Sequence, residues 1–149
     1  MFFNNKRTVE VKVKILPCNH KFKDMHISHI DDAGVDLYSL EDFTLPSGEI
    51  HTFKLGICLE IPVGYYGMIC DRSSLGQKGI KVFGGIIDSG YRGEIGVILA
   101  NFSPMEYNFK VQDRIAQLLI LPVMTPSYTV VDDLSCSKRG TGGFGSTGK

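Results

Sequence analysis

The chain has no C-x-x-C pair, no net charge and no long apolar run, and each absence removes a class of protein. Its cysteines, Cys18, Cys58, Cys70 and Cys136, are scattered, so they spell neither a zinc site nor a disulfide framework. They read as free thiols in a reducing, intracellular compartment, cytoplasm or nucleus. Sixteen basic and sixteen acidic residues cancel. Nothing therefore steers the chain toward a polyanion, which argues against direct nucleic-acid binding. No stretch approaches the about 18 apolar residues that a membrane span requires. The start, Met1-Phe2-Phe3-Asn4-Asn5-Lys6, lacks the apolar core of a signal peptide, so the expectation is a soluble, unprocessed protein without membrane contact. Internal repeats and long amphipathic helices are missing as well. His26 and His29 lie in a polar loop without a carboxylate or cysteine to complete a ligand set, and they read as surface residues.

What is present is strand periodicity. Val9, Val11, Val13 and Ile15 alternate with Glu10, Lys12 and Lys14, the pattern of a strand with one wet face. Residues 50–61 read as a long strand closed by Pro62-Val63-Gly64, a turn that leads into a strand over 65–70. Residues 94–101, 107–111 and 114–121 continue the pattern, with Gln112-Asp113 as a tight connector, and 75–79 suit one helical turn. Many short strands with Gly and Pro between them predict an all-β, jelly-roll-like distorted barrel or sandwich. A length of 149 residues fits one domain, here 1–136. Residues 137–149, rich in Gly, Ser and Thr, form a flexible C-terminal arm that cannot build a core.

Five places carry chemistry. Gly85-Ile86-Ile87-Asp88-Ser89-Gly90-Tyr91-Arg92-Gly93-Glu94 puts a carboxylate and an aromatic at the tip of a glycine-rich hairpin. A flat, hydrogen-bonding guest such as a nucleobase could approach its main chain where no Cβ stands guard. The alternative is an ordinary hairpin in which Asp88 caps its own turn. Arg72-Ser73-Ser74-Leu75-Gly76 offers a cation, hydroxyls and amides to an anion, or is merely a loop. Asp36 either serves a hard cation through water or caps a turn, and Gln117, inside an apolar strand, is an amide in need of partners. In the arm, Arg139 suits phosphate and Phe144 could stack on a base. Residues 143–149 spell G-x-x-x-x-G-K, but no Ser/Thr, feeding strand or following helix completes a P-loop.

Taken in order, Asp32-Ala33-Gly34-Val35-Asp36-Leu37, Asp71-Arg72-Ser73-Ser74-Leu75-Gly76, residues 85–93, Asp113-Arg114-Ile115-Ala116-Gln117-Leu118 and residues 139–148 resemble the five motifs of the trimeric all-β dUTPases. The resemblance implies hydrolysis of dUTP to dUMP and pyrophosphate, which keeps uracil out of DNA and supplies dUMP for thymidylate synthesis. It implies a homotrimer whose active sites are shared between subunits. Asp88 would activate the attacking water, and Tyr91 would lie against the deoxyribose and exclude a 2′-hydroxyl. Arg72, Ser73, Ser74 and Gln117 would hold the triphosphate, with Mg²⁺ met by Asp36 through water. Main-chain groups of the hairpin, at Gly85 and Ile87 among others, would read uracil and leave no room for a 5-methyl group. The arm would close over the nucleotide, with Arg139 on the γ-phosphate, Phe144 over the base and Gly145 and Ser146 beside the substrate. Asp71 departs from the Pro or Gly of many relatives and sets a negative charge beside the phosphate loop, which would weaken triphosphate binding unless Arg72 or a metal offsets it. Ser74 replaces a frequent Gly, and Val82 stands where some members use Asn. Two rivals remain at this point. dCTP deaminase shares the fold but would need a glutamate where Ile98 stands, and a catalytically idle nucleotide-binding trimer would have no use for Asp88.

Overall fold

The computed structural model describes residues 8–19, 25, 29, 32–138, 140 and 141. Along them run β1 (Lys12–Ile15), β2 (Val35–Tyr38), β3 (Phe43–Leu45), β4 (Ile50–Glu60), β5 (Tyr65–Cys70), one helical turn α1 (Ser73–Gly76), β6 (Ile80–Phe83), β7 (Ile86–Ile87), β8 (Glu94–Asn101), β9 (Tyr107–Phe109) and β10 (Arg114–Pro122). The alternation that predicts strands also decides which side chains go inside. β4 buries Phe53, Leu55, Ile57 and Leu59, and β8 buries Ile95, Val97 and Leu99, in each case every second residue, as a pleated strand requires. These strands pair antiparallel in a sheet of order β1-β4-β8-β6, and β2-β10-β5-β7 form a second sheet. Leu37, Ile69, Ile115 and Leu118 of the second sheet join the same core. Phe53 and Phe109 meet edge to face at 5.0 Å within it, a geometry that suits the ring quadrupoles.

The expected all-β class holds, and of barrel and sandwich the described residues follow the open form. β1 and β6 are the edges of one sheet, β2 and β7 of the other, and no closed barrel forms among them. β7 has only two residues, too few to extend a ladder to another strand.

Several expected boundaries shift for local reasons. The β1 ladder begins at Lys12, and its Val13 and Ile15 are 37% and 47% exposed, because β1 pairs on one side only and its apolar face is left uncovered. Lys12 Nζ meets Glu60 across that pair at 2.9 Å. Their hydrogen bond holds Lys12 above and Glu60 below the usual range, but both are fully exposed and the pair contributes little. β9 stops at Phe109 because residues 110–113 turn. Asp113 N–H donates to the Lys110 carbonyl and Lys110 N–H to the Asp113 carboxylate, with Gln112 at φ 72° between them. The helical turn starts at Ser73 rather than 75, with Gly76 N–H donating to Arg72 O and Gln77 N–H to Ser73 O. Buried Leu75 anchors it.

The glycine-rich segment is more than a hairpin. β6 pairs with β8 from Ile80↔Asn101 to Phe83↔Ile98, so those two strands form the hairpin and residues 84–93 connect them. At Gly84 and Gly85, φ 67° and 95°, the chain leaves the first sheet and lays β7 against β5 in the second, Met68↔Ile86 and Gly67↔Ile87. Ile69 N–H donates to Gly85 O at 2.8 Å. A Cβ on Gly85 would lie 2.6 Å from Ile69 O, so this crossing needs glycine for space as well as for φ.

Candidate active site

Strand register gathers one set of the sequence-predicted residues. On β10, Gln117 stands opposite Asp36 of β2 and Cys70 of β5, so both neighbours deliver their functional groups to one end of the second sheet. β5 then runs directly into Asp71, Arg72 and α1. Arg72 Nε donates to Asp36 Oδ1 at 2.9 Å, and Arg114 Nη1 lies 3.3 Å from Asp36 Oδ2. Gln117, half-buried, donates from Nε2 to the Asp71 carbonyl at 2.8 Å, which supplies the partner its amide needs. An open cleft of about 280 Å³ lies here, lined by Asp32, Asp36, Arg72, Ser73, Arg114 and Gln117 together with His29, Ala33 and Gly34. Two guanidinium groups share the Asp36 carboxylate, and with Asp32 also on the wall the cleft is balanced in formal charge. The planar forks of Arg72 and Arg114 have donors beyond those bonds, suited to phosphate.

A second set lies elsewhere. Tyr91 N–H donates to Asp88 O at 3.0 Å, so the turn is closed by the Asp88 main chain and not by its side chain. Arg92 Nη1 clamps the same turn through the carbonyls of Ser89 at 2.6 Å and Tyr91 at 2.9 Å. The Tyr91 hydroxyl donates to Glu94 O at 3.1 Å, and its ring lies over Gly93, where a Cβ would collide with it. The exposed Asp88 carboxylate thus sits on a braced tip with a fixed aromatic beside it. Because Ile87 pairs with Gly67, Asp88 falls near the level of Tyr66. That is about 13 Å along the strand from the Cys70 level where Gln117 and Asp36 meet, at roughly 3.3 Å per residue. Within one chain, the two sets do not share a cleft.

The other predicted residues sort accordingly. Ser73 lines the cleft and Ser74 does not. Ile87 is half-buried in the ladder, with Gly85 at the crossing before it. Arg139, Phe144, Gly145 and Ser146, like His26, lie outside the described residues. Asp71 is no loose charge beside the phosphate loop. It pairs with Lys81 and accepts from Val82 N–H at 2.6 Å. Residue-level reasoning passed over Arg114, although its place three residues before Gln117 was the available signal. It also dismissed His29, which is exposed yet on the cleft wall. The deaminase alternative finds no support on β8. Ile98 is half-buried between Thr52 and Phe83, and the one carboxylate of that strand, Glu94, is taken by Gly56 N–H at 3.0 Å.

Fold and site thus define an all-β protein with a guanidinium-lined anion cleft and a separate carboxylate-bearing tip. A dUTPase family profile matches residues 20–148. The deoxyuridine 5'-triphosphate nucleotidohydrolase of cowpox virus (strain GRI-90) is 47% identical over 116 residues, 78% of this chain and 79% of that protein. The Staphylococcus bacteriophage 80alpha dUTPase, solved with dUPNHPP, superposes with a TM-score of 0.87 at 30% identity, covering 95% of this chain and all of that one. A mutant dUTPase from phage phi11 of S. aureus, whose structure details coordination of a structural Mg(II) ion, superposes at 0.75 with 26% identity over 83% of this chain and 97% of its own. The chain belongs to the dUTPase family.

Proposed function

We propose that this protein hydrolyses dUTP to dUMP and pyrophosphate at a site completed between copies of the chain in a homotrimer. The observation that carries the shared site is the separation just described. A cleft built for phosphates and a carboxylate with a fixed tyrosine stand about 13 Å apart on one protomer by strand rise, so one chain supplies the phosphates' donors and another the base wall. Family membership and the nucleotidohydrolase relatives support the reaction itself.

Arg72, with Ser73, Ser74 and Gln117, holds the triphosphate, and Asp36 keeps the Arg72 fork oriented by occupying its Nε. Water attacks the α-phosphorus in line. Its proton passes to the Asp88 carboxylate, and the bond from the α-phosphorus to the bridging oxygen breaks to release pyrophosphate. Tyr91, braced on Glu94, lies against the deoxyribose where a 2′-hydroxyl would clash. Main-chain groups around Gly85 and Ile87 read uracil, and the closeness of the crossing leaves no space for a 5-methyl group. The arm closes the site, with Arg139 on the γ-phosphate, Phe144 over uracil, and Gly145 and Ser146 at the substrate.

The residues present also fit a hard cation. The carboxylate of Asp36 has about four lone-pair positions and the two arginines take one on each oxygen, which leaves capacity to accept from metal-bound water. Such binding through a carboxylate and substrate phosphates is the usual mode for Mg²⁺. Bound there through water on Asp36, Mg²⁺ would gather the phosphates and offset charge on the departing pyrophosphate. Among the described residues no helix is long and apolar enough to cross a membrane, and Cys18, Cys58, Cys70 and Cys136 are unpaired. Unpaired cysteines suit the reducing, intracellular placement proposed here.

The test is pyrophosphate release from dUTP, dTTP, UTP and dCTP, with Mg²⁺ present or chelated. Release from dUTP alone is expected, lost on chelation. Asp88→Asn should lower turnover at least about a thousandfold while dUTP binding persists. Equal turnover in that variant would remove Asp88 from the chemistry, and absence of release from wild-type protein would overturn the assignment.

A further inference from the structure

Asp71 makes three contacts with two strands. Its carbonyl receives Gln117 Nε2 from β10, its carboxylate Oδ1 receives Val82 N–H from β6 at 2.6 Å, and Oδ2 pairs with Lys81 Nζ. The next residue is Arg72, the anion-binding cation. β6 is an edge strand, so the Val82 N–H that points away from β8 has no ladder partner. Asp71 fills that position from the other sheet. Two residues beyond Val82 the chain reaches the left-handed Gly84-Gly85 crossing, which is held to β5 by the Ile69 N–H to Gly85 O bond and by the short β5–β7 ladder that follows it. The segment that would read the base is therefore held to the second sheet by this pairing on its far side and tied to the end of β5 by Asp71 on its near side.

We infer that Asp71 is a positioning residue for base selection: by fixing the Val82 amide it holds the glycine crossing close to β5, and it ties that crossing to the phosphate loop. The charge that looked unfavourable for triphosphate binding is engaged by Lys81 and a main-chain donor, and charge-assisted bonds of this kind are the stronger ones. Loosening the link lets the crossing recede and opens space at the base, so discrimination against a 5-methyl group falls while the triphosphate donors stay in place. This inference rests on the dUTP reading, and the experiment keeps the two separable.

The full chain is compared with Asp71→Ala and Asp71→Asn. The measurements are kcat/KM for dUTP and dTTP, and backbone amide exchange without nucleotide at Val82 and at Ile69, whose N–H donates to Gly85 O. Asp71→Ala should speed exchange at both amides and narrow the dUTP-over-dTTP ratio about tenfold. Asp71→Asn, which keeps an oxygen for Val82 N–H, should restore most of both effects and covers the case in which the alanine variant fails to fold. An unchanged ratio in Asp71→Ala, equal losses for the two substrates, or an asparagine variant as impaired as the alanine one would overturn the inference. If wild-type protein hydrolyses neither nucleotide, the proposed function fails. Exchange then decides the link: faster exchange at Val82 reaching Ile69 upholds it, and unchanged exchange refutes it.

Discussion

At the scale of single residues, the chemistry depends on groups whose neighbours leave them one orientation. Arg72 is aimed because Asp36 occupies its Nε, and the same carboxylate holds Arg114, so one acidic residue organises two cations. Tyr91 is fixed by its hydroxyl bond to Glu94 O and by the missing Cβ of Gly93. Gly85 is the most exacting position, because its φ of 95° and the 2.6 Å approach of Ile69 O to a Cβ act together. Gly85→Ala is expected to destabilise the protein by on the order of 1–3 kcal/mol. Urea denaturation would measure this, and a midpoint equal to wild type would mean that the crossing can relax without cost.

At the scale of elements, strand pairing explains which predicted residues meet. β10 lies between β2 and β5, so Gln117 draws Asp36 and the start of the phosphate loop to one row. The crossing at Gly84 and Gly85 sends Asp88 toward the opposite end of β5. The arm is an element of a different kind. Among the described residues the buried hydrophobic core lies between Leu37 and Leu118, and residues 137–149 are proposed to close the site and not to build that core. The truncated protein should keep its far-UV spectrum and its denaturation midpoint and lose most of its dUTP turnover. Full activity after truncation would deny the arm any part in closing the site.

At the scale of the molecule, the site proposed between copies of the chain would make activity a property of an assembly. Sedimentation should show a trimer. Chains carrying Asp88→Asn and chains carrying Arg72→Ala, each nearly inactive alone, should regain activity when unfolded together and refolded at equal amounts. If Asp88 and Arg72 come from different chains, random mixing leaves about a quarter of sites with both groups intact. No recovery, from mixtures shown to contain hybrid trimers, would place both groups in one subunit's site and refute the shared arrangement.

Much of this was legible without coordinates. Period-two alternation specified the strands, because a pleated strand with one buried face has no other way to pattern its side chains. β5 and β8 were predicted at their observed ends, and the motif set named Asp36, Arg72, Gln117, Asp88 and Tyr91. The strand pattern could not reveal pairing partners, since alternation says which face a side chain takes and not which strand lies beside it. It therefore read residues 84–93 as a simple hairpin and missed their crossing between sheets. It also left Arg114 unassigned and counted Asp71 as an unfavourable charge, because ion pairs such as Asp71 with Lys81 join residues on different strands. The amino-acid sequence by itself determined the all-β class and carried the motifs that mark the family. The tertiary structure decided which groups converge and which stay apart, because sheet register, a long-range property, sets distances between residues that the linear chain leaves free.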